Sequence, residues 1–80
     1  MLELKHIPHV SGLKQTARAV KREEAKRVLI ARDADPVMLE TLRALCEERS
    51  VPVEDSHTMR ELGNAAGLAV GAAAIAVIGE

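Results

Sequence analysis

Apolar positions along the 80-residue chain come in short blocks, and the spacing changes from block to block. Between Leu13 and Arg22, Leu13, Ala17 and Val20 recur at i, i+4 and i+7. That period predicts a helix from Gly12 or Leu13 to Arg22, with Ser11 as its N-cap. "RVLIA" (Arg27–Ala31) is a continuous apolar run, which reads as a strand buried on both faces. "DADP" follows, and Asp35 before Pro36 is a helix start: a capping carboxylate, then a proline at the first helical position. Met38 or Leu39, then Leu42, Leu45 and Cys46, continue the helical period to about Glu48. "SVPVED" (Ser50–Asp55) predicts another short strand, so strand, helix and strand here form a parallel unit. Thr58 and Glu61 have capping-box spacing, which predicts a helix ending between Gly63 and Gly67. "AAAIAV" (Ala72–Val77) predicts a last buried strand, and residues 6–10 a first edge strand interrupted by Pro8. The expected architecture is one α/β domain over residues 1–80, a small sheet with helices on both faces.

Composition narrows what such a domain can do. The chain contains no Phe, Tyr or Trp, so its core is aliphatic and it cannot stack bases on aromatic rings. One cysteine, Cys46, precludes an internal disulfide and sits on the apolar stripe of its helix, where an inert buried thiol is expected. No N-terminal stretch joins a basic start to an apolar run, so no secretory leader and a cytoplasmic location are expected. The uncharged run Leu68–Gly79 is too short for a membrane span despite the small-residue spacing of Gly63, Gly67 and Gly71.

Charge changes the picture more. Residues 1–32 carry eight Lys and Arg against three Glu, net +5, whereas residues 33–80 are net −6. Lys14, Arg18, Lys21 and Arg22 are offset from the apolar stripe of the first helix. The first two stand near the helix N-terminus, where cations oppose the macrodipole and anions are attracted. Gly12 permits close approach of a bulky ligand, and Gln15 can both donate and accept at a base edge. Lys14 and Arg18, one turn apart, suit phosphates or guanine acceptors. RNA or DNA is the partner this chemistry favours.

Catalysis has little support. His6, His9 and Cys46 would be an unusual metal set, and Asp33 and Asp35 are better read as loop and cap than as a magnesium site. The glycines do not fit a P-loop or a dinucleotide fingerprint. No metal and no cofactor are expected. Two other readings stay open: a protein-interaction module without RNA binding of its own, and a small metal protein or enzyme using His6, His9 and Cys46.

"GLKQTARAVKREEAKRVLIARDADP", followed by "SHTMRELGNAAGLAVGAAAIAVI", resembles the L-seven-Ae family of kink-turn RNA-binding ribosomal proteins, above all its short bacterial members. The likeness covers about residues 11–78. It implies a three-layer α-β-α sandwich around a four-stranded mixed sheet. It also implies a site: Gly12, Lys14, Gln15 and Arg18 entering the RNA groove at tandem sheared G·A pairs. Leu68, Ala69, Val70 and Gly71 would cover an extruded base with aliphatic contacts, and Asp35 and Leu39 would line the pocket of that nucleotide. The implied partner is a structured RNA containing a kink-turn, with ribosome association, and the expected state is a monomer. Archaeal and eukaryotic members usually have Asn-Glu where this chain has Lys14-Gln15. The bacterial relatives share Lys-Gln, so the base contacts differ between the two branches.

Overall fold

Residues 2–79 are described by a computed structural model. Four strands and three helices alternate: β1 (His9–Ser11), α1 (Leu13–Lys21), β2 (Arg27–Ala31), α2 (Pro36–Glu48), β3 (Val53–His57), α3 (Met59–Ala65) and β4 (Ala74–Val77). The sheet order is β1-β4-β2-β3, mixed in direction: β4 is antiparallel to both β1 and β2, and β2 is parallel to β3. The β2-α2-β3 unit is therefore parallel, as its sequence spacing requires.

The two central strands carry the core. All four residues of β4 and four of the five in β2 are buried, because helices cover both faces of the sheet. α1 packs against β1, β4 and α2, while α3 packs against β2 and β4, giving an α-β-α sandwich. Val20, Val28, Leu29, Ile30, Leu62, Ile75 and Val77 fill it without an aromatic ring.

Several boundaries move from their sequence-based positions. Ser11 does not cap α1. It pairs with Ile75 as the last residue of β1, and Gly12 becomes the N-cap at φ 103° and ψ 150°. The chain must turn sharply out of the edge strand, and a left-handed φ favours glycine. β1 begins at His9 rather than residue 6, because Leu4 to Ile7 form a turn closed by the Ile7 N–H to the Leu4 carbonyl (3.1 Å). Leu4 is fully buried, and its N–H donates to the Ala65 carbonyl at 2.8 Å, tying the N-terminal segment to α3.

β3 begins at Val53 rather than Ser50. Ser50 takes a positive φ of 58° and the Val51 N–H returns to the Cys46 carbonyl, so these residues finish α2 instead of starting the strand. On α1, Thr16, Ala19 and Val20 are buried while Leu13 and Ala17 are half-buried. The helix is wedged between sheet and α2, so its buried arc is rotated from the simple apolar stripe. On α2 the period settles on Leu39, Leu42 and Cys46, leaving Met38 56% exposed.

Candidate nucleic-acid interface

The topology gathers three helix starts. β1 and β2 run against β4, and β3 runs with β2, so the C-terminal ends of β1, β2 and β3 lie beside the start of β4. Each of those strands leads into a helix. Backbone bonds stitch this end together: Gly12 N–H to the Ala74 carbonyl (2.9 Å), Ala31 N–H to Ala73 (2.9 Å), Arg32 N–H to His57 (2.9 Å) and Ala72 N–H to Met59 (3.0 Å). The N-termini of α1, α2 and α3 and the loop before β4 therefore occupy one end of the sheet.

The three starts differ in how their free N–H groups are served. α2 is capped by Asp35, whose Oδ1 accepts from the Val37 N–H at 2.9 Å. α3 has a full capping box: Thr58 Oγ1 accepts from Glu61 N–H (3.1 Å), and Glu61 Oε1 accepts from Thr58 N–H (2.8 Å). Asp33 Oδ1 adds a bond from the Met59 N–H at 2.8 Å. The hydrogen bond from the Thr58 backbone, helped by the Thr58 hydroxyl side, holds the Glu61 carboxyl below its ordinary range. α1 has no side-chain cap and no acid in its first turn. Its N-terminal dipole and first-turn amides have no side-chain partner among the described residues, the feature that makes a helix start able to take an anion.

Lys14, Gln15 and Arg18 are exposed around this open start. Gln15 folds back over the glycine, and a Cβ added at Gly12 would stand only 2.7 Å from its Oε1. The glycine and the glutamine thus share one small space.

The loop before β4 joins the same end. Val70 is 73% exposed, Ala69 and Gly71 are exposed, and Leu68 is half-buried as an anchor. Two glycines seat this loop. Gly63 of α3 lies against the Val70 carbonyl, where a side chain would collide, and a Cβ at Gly71 would sit 3.2 Å from the Met59 carbonyl oxygen. Close approach to RNA is therefore not needed to explain Gly71, since the loop already lies tight on α3.

Of the ten sequence-derived site residues, Gly12, Lys14, Gln15, Arg18, Asp35, Leu68, Ala69, Val70 and Gly71 gather at this end. Leu39 stands apart: it is 2% exposed and belongs to the core. The first turn of α2 instead offers Val37, 75% exposed, and Met38, 56% exposed. Sequence reasoning overlooked this pair. The available hint was "PVML", three apolar side chains after the proline where the buried stripe uses one.

The remaining chemistry does not assemble. Cys46 is buried in the core, and burial pushes its thiol up. His9 Nδ1 lies 2.7 Å from the Ile7 carbonyl oxygen. Among the described residues no group of three His, Cys, Asp or Glu side chains is arranged to hold a metal ion, and no helix is long and apolar enough to cross a membrane.

A small α-β-α sandwich with one uncapped, glycine-led helix start beside a short aliphatic loop defines a class of binding domain rather than an isolated fold. The family model described as ribosomal protein L7Ae/L30e/S12e/Gadd45 matches residues 2–80, and the chain belongs to that family. It is 45% identical over 69 residues to the RNA-binding protein YbxF of Geobacillus stearothermophilus, covering 86% of this chain and 84% of the relative. An RNA-binding protein of Bacillus pumilus is 39% identical over the same length and shares of each chain. Among solved structures, the 15.5kD RNA binding protein of Giardia lamblia superposes with a TM-score of 0.81 at 29% identity. That match covers 90% of this chain but 60% of the Giardia protein, so the chain spans less than two thirds of it.

Proposed function

We propose that this protein binds RNA through the end of the sheet where the three helices start, and that its ligand is a kink-turn with tandem sheared G·A pairs. The observation that carries the reading is the open start of α1. Two helices beside it are closed by their own carboxylates and hydroxyl, while α1 presents a glycine, free first-turn amides, Lys14, Gln15 and Arg18. The names of the curated relatives, RNA-binding proteins at 39–45% identity, support it.

Each residue type has a task in this reading. Gly12 and the first-turn amides meet the sugar-phosphate backbone. Gln15 turns from Gly12 to a guanine edge, accepting or donating as the pair requires. Lys14 and Arg18 take phosphates or guanine acceptors. Val70, with Leu68, Ala69 and Gly71, covers an extruded base without an aromatic ring, and Val37 and Met38 extend that cover where Leu39 is out of reach. Asp35 holds α2 in register for this work. The protein acts as a cytoplasmic monomer associated with the ribosome, a binding protein rather than an enzyme.

Titration with a kink-turn hairpin, and with the same hairpin carrying Watson–Crick pairs in place of G·A, tests the reading at two salt concentrations. Tight binding to the first alone is expected. Equal, weak binding to both that collapses with salt would leave only a basic face and favour a protein-interaction module.

A further inference from the structure

The cations of α1 continue past its first turn. Lys14, Arg18, Lys21 and Arg22 line one shallow groove whose floor includes Ala17. Their spacings of three and four residues place them along one side of the helix, over about 10 Å from Lys14 to Lys21. All four are exposed, and none forms an ion pair among the described residues. Outside the groove, three of the five arginines are paired: Arg27 with Glu54 at 3.1 Å, Arg43 with Asp55 at 3.3 Å and Arg49 with Glu48 at 3.9 Å, while Arg32 and Arg60 stand singly rather than in a row.

A helix C-terminus welcomes cations, which would be an internal reason for Lys21 and Arg22. That position is already filled. Arg49, at the end of α2, donates from its guanidinium to the Lys21 carbonyl at 3.2 Å. It also brings a third positive charge to the end of α1. Glu23 and Glu24 follow in sequence, yet neither reaches ion-pair distance of the four groove cations. Unpaired like charges along one groove repel one another, and an external polyanion relieves that.

We infer that this groove is a second contact surface for the same RNA: Lys21 and Arg22 bind the phosphate backbone of the helical stem that leaves the kink. The inference rests on the kink-turn reading and divides the labour along α1. The open start recognises the non-Watson–Crick pairs, and the far half adds affinity without sequence or shape preference. Charge complementarity, four uncompensated cations against a continuous row of phosphates, identifies the occupant.

The test compares wild type, Lys21→Gln/Arg22→Gln, and a control Lys5→Gln/Lys26→Gln that removes equal charge from outside both the groove and the end where the three helices start. Each is titrated across salt with two kink-turn hairpins, one with a long flanking stem and one with that stem cut back. The groove variant is expected to lose roughly tenfold in affinity for the long-stemmed RNA and to flatten its salt slope by about 1.8, the release expected for two phosphate contacts on a duplex stem. Its discrimination against the Watson–Crick control hairpin stays that of wild type, and the short-stemmed RNA does not separate the two proteins. Equal losses in groove variant and control would overturn the inference by reducing it to net charge. An equal loss on the short-stemmed RNA would overturn the assignment to the stem. Should wild type discriminate G·A hairpins while the variant keeps its full slope, this inference alone falls. A wild type that does not discriminate takes the kink-turn reading and this inference down together.

Discussion

The starts of α1 and α3 sit at the same end of one sheet and are built in opposite ways. α3 is closed: Thr58 and Glu61 satisfy each other's backbone, Asp33 takes the Met59 N–H, and the Ala72 N–H binds the Met59 carbonyl. α1 is open, led by Gly12 at a positive φ with no carboxylate or hydroxyl to serve its first turn. Closing a helix start is worth about 1 kcal/mol. A small domain that closes two starts and leaves the third open forgoes that stability where binding needs free donors. In the proposed reading the lesson is local: helix capping, usually read as a stability device, marks by its absence on α1 the surface that meets RNA.

The comparison breaks most visibly at the open start. Lys14→Ala with Arg18→Ala is expected to cost about 100-fold in affinity for a kink-turn hairpin, from two charged contacts worth about 1–3 kcal/mol each at the ligand. Thermal unfolding should barely move, because both side chains are exposed and unpaired. A large fall in melting temperature with intact binding would reverse the roles of the two helices.

On the closed side, Gly63→Val forces a side chain against the Val70 carbonyl. Overpacking of this kind costs about 2 kcal/mol, or roughly 10 °C in Tm for a domain of this size. The loop before β4 must shift, so the base-covering contact proposed for it weakens as well, measurable as a faster RNA off-rate. Gly71→Leu would disturb the fold as well as the loop, since Gly71 packs against Met59. Val70→Ser is the cleaner probe of the loop: it trims an exposed aliphatic side chain, and RNA affinity should fall several-fold at unchanged Tm.

Smaller again, Thr58→Ala should lower stability by about 1 kcal/mol and leave RNA affinity unchanged, which chemical denaturation and titration would show together. The smallest effect is in pH. The Glu61 carboxyl titrates below its ordinary range in the folded state because of its bonds to Thr58. Its contribution is therefore present above the unfolded value of about 4.3 and is lost as pH falls through the folded one. Glu61→Gln should flatten the acid limb of the stability curve in that window, and an unaltered limb would mean the capping box carries no linkage.

Much of this was legible in the chain itself. "DADP", the Thr58-Glu61 spacing and the apolar runs of β2 and β4 are local signals, dictated by hydrogen-bond chemistry within a few residues or by complete burial. They fixed α2, α3, the two central strands and the parallel unit. The basic side of α1 was visible too, since helical periodicity alone aligns Lys14, Arg18, Lys21 and Arg22. What the chain concealed depends on neighbours far along it. Ser11 looks like a cap until pairing with Ile75 draws it into β1 and hands the turn to Gly12. Leu39 looks like a site residue until α2 is docked and rotates it inward, turning Val37 and Met38 out. Thr16 is polar, yet α1 lies so deep between sheet and α2 that it is fully buried.

Caps, prolines and apolar periods act within one or two turns, so the chain alone set which segments become helices and strands, if not every boundary. Which helix start stays open depends on where the edge strand ends and how the chain turns from it, so it was settled by packing. That three helix starts and an aliphatic loop share one end follows from strand direction and order in the sheet, which long-range pairing sets and no local pattern encodes.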